Sequence, residues 1–206
     1  MLKKILDELK EHIPFTAFGA LMGVVLLLFS KSIPQAIAYK AFYTFHPAHV
    51  FLSSLVTASM YHLHQCPKDS KHRCNVFMFI LVGFVGSVGI ATLSDSLIPY
   101  LGEVLLDLPH RHAHVGFIEK WWLINPLAFA GILVAYFKPQ TKFPHLGHVL
   151  ISTWASLFHM LLAKGDVVLS FSFYIVIFIF LFVAVWLPCC VSDIVFPLLF
   201  VKPKKD

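Results

Sequence analysis

Residues 46–57 read HPAHVFLSSLVT, and residues 145–156 read HLGHVLISTWAS. Both reduce to His-x-x-His-Val-x-x-Ser, followed four positions on by a second hydroxyl residue. A second shared element comes later in each half. Residues 94–101 read SDSLIPYL and residues 192–199 read SDIVFPLL, so both are Ser-Asp-x-x-x-Pro-x-Leu. The step from His49 to Asp95 is 46 residues and that from His148 to Asp193 is 45. Two ordered signatures at matching spacing mark an internal duplication. Repeat one covers roughly residues 12–106 and repeat two roughly 119–201, within a single membrane domain over 1–206.

The surroundings of these motifs set the class. The chain has 206 residues, of which 58% are hydrophobic and 13% charged, and its mean hydropathy is +0.79. Soluble domains carry about 45–50% apolar and about 25% charged residues. The excess is gathered in long runs. Residues 13–29, 76–93, 121–137 and 167–191 hold no charge, and 47–63 and 146–163 hold only His as titratable groups. Each approaches the length of about 20 residues that spans a hydrocarbon core as helix. Helix is required because lipid offers no partner to backbone amides, and continuous rather than alternating runs exclude a β-barrel. The expected fold is all-α and polytopic, with six transmembrane helices in two inverted three-helix repeats. The charged segment 1–11 reads as a short amphipathic helix on the membrane surface.

With six spans, one face receives both termini and the loops after spans two and four. It holds eleven Lys and Arg against five on the other face. That bias places both termini in the cytoplasm, with the plasma (inner) membrane as the expected location. The net charge of +5 is therefore a topology signal, and nothing suggests nucleic-acid binding. Cys66, Cys74, Cys189 and Cys190 fall on or near the reducing face, which argues against a disulfide framework.

Three spans per repeat turn the halves upside down to each other, the architecture of many secondary transporters. The expectation is one His-His-carboxylate set near each face. His46, His49 and Asp95 form the first, with His114 and Glu119 in the adjoining loop and His110 and His112 nearby. His145, His148 and Asp193 form the second, with His12. Imidazoles three apart share a helix face, and imidazole with carboxylate suits a divalent transition metal of the zinc, manganese or iron class rather than magnesium or calcium. Ser53 and Thr57, with Ser152 and Ser156, continue the two stripes and are expected to line the pathway. Pro99 and Pro197 are expected to break their helices and free carbonyls beside the two Asp residues. Gly83, Gly86 and Gly89 are expected to give close helix approach.

These features point to a membrane transporter, with lipid bilayer and a metal ion or small solute as partners and a homodimer as a possible assembly. Two alternatives stay open on sequence: a metal-dependent integral-membrane hydrolase acting on lipid or peptide, and an accessory membrane protein whose polar stripes serve helix association. The cluster His62, His64, Cys66, His72 and Cys74 carries thiols and imidazoles that can bind a soft or borderline cation, but it matches no standard zinc spacing; a solvated basic loop is the favoured reading and a metal-binding loop the open alternative.

Overall fold

The computed structural model describes residues 2–29, 33–66, 75–165, 167, 170–190 and 195–201; at 2–9, 11, 12, 29, 142–146 and 190 it describes the backbone alone. His12 and His145 fall where side chains are not described, and His72, Cys74 and Asp193 lie outside the described residues. Among the described residues the chain is all-helical, with no strand. The elements are α1 (Leu2–Phe29), α2 (Gln35–Gln65), α3 (Val76–Thr92), a π-helical turn (Leu93–Leu97), α4 (Ile98–Leu105), α5 (Gly116–Glu119), α6 (Trp121–Phe137), α7 (Lys142–Lys164), α8 (Phe171–Cys190) and α9 (Phe196–Leu199).

Two features of α1 and α2 depart from the sequence reading. The N-terminal segment is not a separate helix; it runs unbroken into the first apolar stretch as α1. The second helix begins at Gln35, well before the uncharged run at 47–63. Lys40 made its first turns look like loop. His49 therefore sits at the middle of α2 rather than at its entrance.

Pro99 acts differently from expectation. Its ring removes the amide that would bond the Asp95 carbonyl, yet the helix does not break. It widens by one residue, and the Ile98 amide reaches back to the Leu93 carbonyl. This π turn carries Asp95, and α3, the turn and α4 continue as one rod over Val76–Leu105. π-helical turns of this kind are inserted residues that re-aim a side chain, often at functional sites. In the second copy Val195, two residues before Pro197, is π-helical like Leu97, two residues before Pro99.

Helix contacts follow the order of the two sequence motifs. Contacts pair off when the halves are exchanged: α1 with α8 as α6 with α3, α2 with α6 as α7 with α1, α2 with α3 as α7 with α8, and α4 with α7 as α9 with α2. The helix pair that maps onto itself, α2 with α7, forms the centre. It is antiparallel: Phe45 stacks on Phe158 at 5.6 Å, His49 on His148 at 5.4 Å, and Leu52 lies against Gly147. Close approach elsewhere uses small residues. A methyl group at Gly83 would strike Ile132 and Ala58, and one at Gly86 would strike Thr57 and Phe196. Gly89, read as part of the same stripe, faces open space.

Polarity is distributed inside out. Buried polar residues include Ser53, Ser54, Thr57, Ser87, Ser94, Asp95, Glu103, Ser152, Thr153 and Ser156, together with His46, His49, His148 and His159. Phe15, Phe18, Phe77, Leu101, Trp121, Phe129, Leu133, Phe137 and Phe171 are exposed. Among the described residues two stretches, Val76–Leu105 and Phe171–Cys189, are long and apolar enough to cross a membrane; Ile13–Leu28 and Trp121–Phe137 are apolar but shorter. Cys66 is disulfide-bonded, against the expectation of thiols alone. Cys189 is a free thiol.

Candidate metal centre

The π turn delivers Asp95 to the middle of the bundle, where it is fully buried. Its carboxylate is surrounded by donors. Nδ1 of His46 and Nδ1 of His49 both donate to Oδ2, at 2.9 and 2.7 Å. The hydroxyls of Ser94 and Ser152 donate to Oδ1, at 2.7 and 2.9 Å. A carboxylate is acceptor-only when ionised and offers about four lone-pair positions; all are filled. Ser156 donates to the Ser94 carbonyl at 2.9 Å and so ties α7 to the turn itself. Asp95 was expected among the metal ligands. Its oxygens are committed to protein donors, and it holds both imidazoles with Nδ1 protonated.

That tautomer matters. With Nδ1 protonated, the Nε2 lone pairs of His46 and His49 point away from Asp95. His49 Nε2 faces the Cys189 sulfur at 3.9 Å, beside the stacked ring of His148, 10° from parallel. One donor atom from each of His49, His148 and Cys189 falls within 4.8 Å of the other two, and all three residues are buried. Imidazole held by carboxylate is the usual support of a metal-binding His. His148, expected in a set apart from His49, instead stacks on it. His49 and His148, at matching positions of the two sequence motifs, meet at the crossing of α2 and α7. His46 contributes differently: its ring stacks on Phe42 at 5.2 Å. Its Nε2 is buried without a hydrogen-bond partner, facing Gly116, where a methyl group would lie 2.5 Å from it.

The hydroxyl stripes lie inside the bundle. Ser53, Thr57, Ser152 and Ser156 are all fully buried, and Ser152 and Ser156 commit their hydroxyls to Asp95 and Ser94.

A second polar cluster lies at the rim of the bundle. His112, His114 and Glu119 bring donor atoms within 4.8 Å of one another. Nδ1 of His114 donates to Glu119 Oε2 at 3.1 Å, the Tyr43 hydroxyl donates to the same oxygen at 2.6 Å, and the Val115 amide donates to Oε1 at 3.1 Å. Burial, with the neighbouring His159 and His112, lowers the His114 pKa against the opposing pull of Glu119. Burial works to raise the Glu119 pKa, but the hydrogen bonds from Tyr43 and His114 prevail and lower it. Beneath the cluster His159 Nδ1 donates to Glu103 Oε1 at 2.6 Å, both side chains buried.

Sequence reading missed two of these groups. Glu103 stood beyond the assumed end of the third span, although a lone carboxylate in the stretch IPYLGEVL is itself a signal. Cys189 entered the sequence reading only as one of four cysteines near the reducing face, because nothing in its spacing ties it to His49, 140 residues away. The chain matches no protein-family model, no curated protein and no solved structure.

Proposed function

We propose that this protein is an integral-membrane transporter for a divalent transition metal, built as six spans in two inverted repeats, with His49, His148 and Cys189 as the transport site. The observation that carries this reading is the meeting of His49 and His148 across the repeat boundary, 5.4 Å apart, with the Cys189 thiol beside them. A site assembled from both halves is opened to either side by rocking one half against the other, as in other inverted-repeat carriers.

The donor set refines the cargo. Two imidazoles and a thiolate favour zinc or a similarly soft metal over manganese. Charge fits the reading: Asp95 accepts from four donors as a carboxylate does, and a bound metal would displace the Cys189 thiol proton, leaving two negative charges in a region where no Lys or Arg is among the buried residues described. A divalent cation balances them, and unpaired buried charge is costly. A hydrolase would need a free general base beside an open coordination position, and Asp95 has no acceptor position left.

The membrane reading is supported by apolar residues outside and hydroxyls, imidazoles and carboxylates inside. α2 and α7 miss a simple hydropathy criterion because their Ser, Thr and His face each other in the centre, where neighbouring helices cover them. The orientation with both termini in the cytoplasm follows the basic-residue bias; the disulfide at Cys66, on that same face, is chemistry of an oxidising compartment and opposes it. Thiol labelling from each side of sealed vesicles, with and without reductant, decides the orientation.

The test of transport is uptake of zinc by purified protein in liposomes. Wild-type vesicles accumulate the metal above protein-free controls, and His148→Ala or Cys189→Ala vesicles do not. Equal uptake by the wild type and both variants would remove the transport site from this location.

A further inference from the structure

The rim cluster is built with a care that a solvated loop does not need. Each of its three donors is pinned from a different direction. The His112 amide donates to Glu103 Oε2 at 3.4 Å, and the His114 amide donates to His159 Nε2 at 3.3 Å. The buried Glu103–His159 pair thus grips the backbone of both histidines from below. From the side, the Ser96 hydroxyl donates to the His114 carbonyl at 2.6 Å. Glu119 is held by Tyr43 and by the Val115 amide. The donors converge at a surface that remains open: His112 is exposed, and His114 and Glu119 are 19% and 32% accessible.

The rim also adjoins the centre without merging with it. Ser96 follows Asp95 directly, and Gly116 sits against His46. Between the two regions stands Phe42, fully buried, with its ring stacked on His46 at 5.2 Å, edge-on to His159 at 5.2 Å and 5.9 Å from His114. An aromatic ring there divides the polar groups into two compartments.

We infer that His112, His114 and Glu119 form a second transition-metal site, a capture site at the mouth of the bundle, partitioned from the central site by Phe42. It takes a borderline divalent cation through two imidazoles and a carboxylate oxygen, a harder donor set than the centre. The role as an antechamber rests on the transport reading; the binding itself does not. Glu103 and His159 are positioning residues that hold the histidine backbones and do not touch the ion.

Cobalt(II) chloride added to the detergent-purified full chain separates the two sites. Thiolate ligation produces a sulfur-to-cobalt charge-transfer band, which only a site containing Cys189 gives among the two. The wild type is expected to bind two cobalt ions per chain, one with the band. His112→Ala with Glu119→Gln is expected to lose one ion and keep the band, which also certifies that the bundle is folded. Cys189→Ser is expected to keep the rim ion while the band vanishes. Unchanged stoichiometry in the His112→Ala, Glu119→Gln double variant overturns the capture site. Absence of the band from the wild type, with one ion still lost on changing the rim, sinks the central site and leaves the rim standing.

Discussion

The centre and the rim of this bundle are assembled from the same parts, and differ in what they keep from water. At the centre a carboxylate, Asp95, stands behind His49, and the donors that remain are imidazole and sulfur, all buried. At the rim a carboxylate, Glu103, stands behind His159, and the donors above it are imidazole and oxygen, partly open. The centre draws on both copies of the His-x-x-His motif, because it lies where α2 crosses α7. The rim contains a loop, residues 106–115, that has no counterpart in the duplicated motifs. In the proposed transporter the repeated motifs supply a shared, softer, buried site, and the loop adds a harder one facing solvent.

The largest effect that breaks this comparison is expected from removing a central ligand. His148→Ala or Cys189→Ser should abolish stoichiometric zinc at the centre, as read by elemental analysis of purified protein, while one ion per chain persists at the rim. A loss of both ions together would merge the two sites into one.

Next comes Asp95→Asn. An amide has donors where the carboxylate accepted, so at least one buried His or Ser donor loses its acceptor, at about 1–3 kcal/mol. The imidazole tautomers are no longer fixed, and outer partners of metal ligands are worth roughly 10–100-fold in affinity. Zinc affinity at the centre should fall by that order, with the rim unchanged. A parallel fall at both sites would show that Asp95 supports the bundle and not the His49 ligand.

How much of this was legible beforehand follows from particular residues. The uncharged runs marked helices, and the repeated His-x-x-His and Ser-Asp elements contain His46, His49, Asp95 and His148, which lie buried in contact with one another. Their depth was not legible. Charge-free runs were taken as the limits of helices, so Lys40 hid the first turns of α2 and put His49 at a membrane boundary instead of at mid-helix. With the boundaries displaced, His49 and His148 fell on opposite faces, although they touch. Pro99 was read as a break, whereas a π turn absorbs it. Cys189 joins His49 only through the antiparallel crossing and the docking of α8, information that a one-dimensional spacing does not contain.

A smaller effect links the regions. In Gly116→Ala the new methyl group would lie 2.5 Å from His46 Nε2 and 2.6 Å from its Cδ2. The ring cannot swing away freely, because Nδ1 is bonded to Asp95 and its face is stacked on Phe42. Overpacking of this kind costs about 1–3 kcal/mol. The substitution should lower the unfolding temperature in detergent and weaken both sites, since it pushes the loop away from the helix that carries His46. Gly89→Ala, with nothing within 4 Å, is the matched control and should leave stability equal or slightly higher.

The smallest effect expected is at Ser96, whose position makes it the sharpest probe of separation. Its hydroxyl holds the His114 carbonyl at 2.6 Å, while its neighbour Asp95 serves the centre. Ser96→Ala removes one hydrogen bond, worth about 1 kcal/mol net, which corresponds to roughly a fivefold loss of affinity. If the rim is a preorganised site, cobalt binding there should weaken by that factor while the sulfur charge-transfer band titrates as in the wild type. If the rim histidines were merely tethered at random, loosening the carbonyl of His114 would change neither titration. A shift of the band in place of the rim signal would mean that Ser96 acts through the π turn on Asp95, and that the partition at Phe42 does not isolate the two regions.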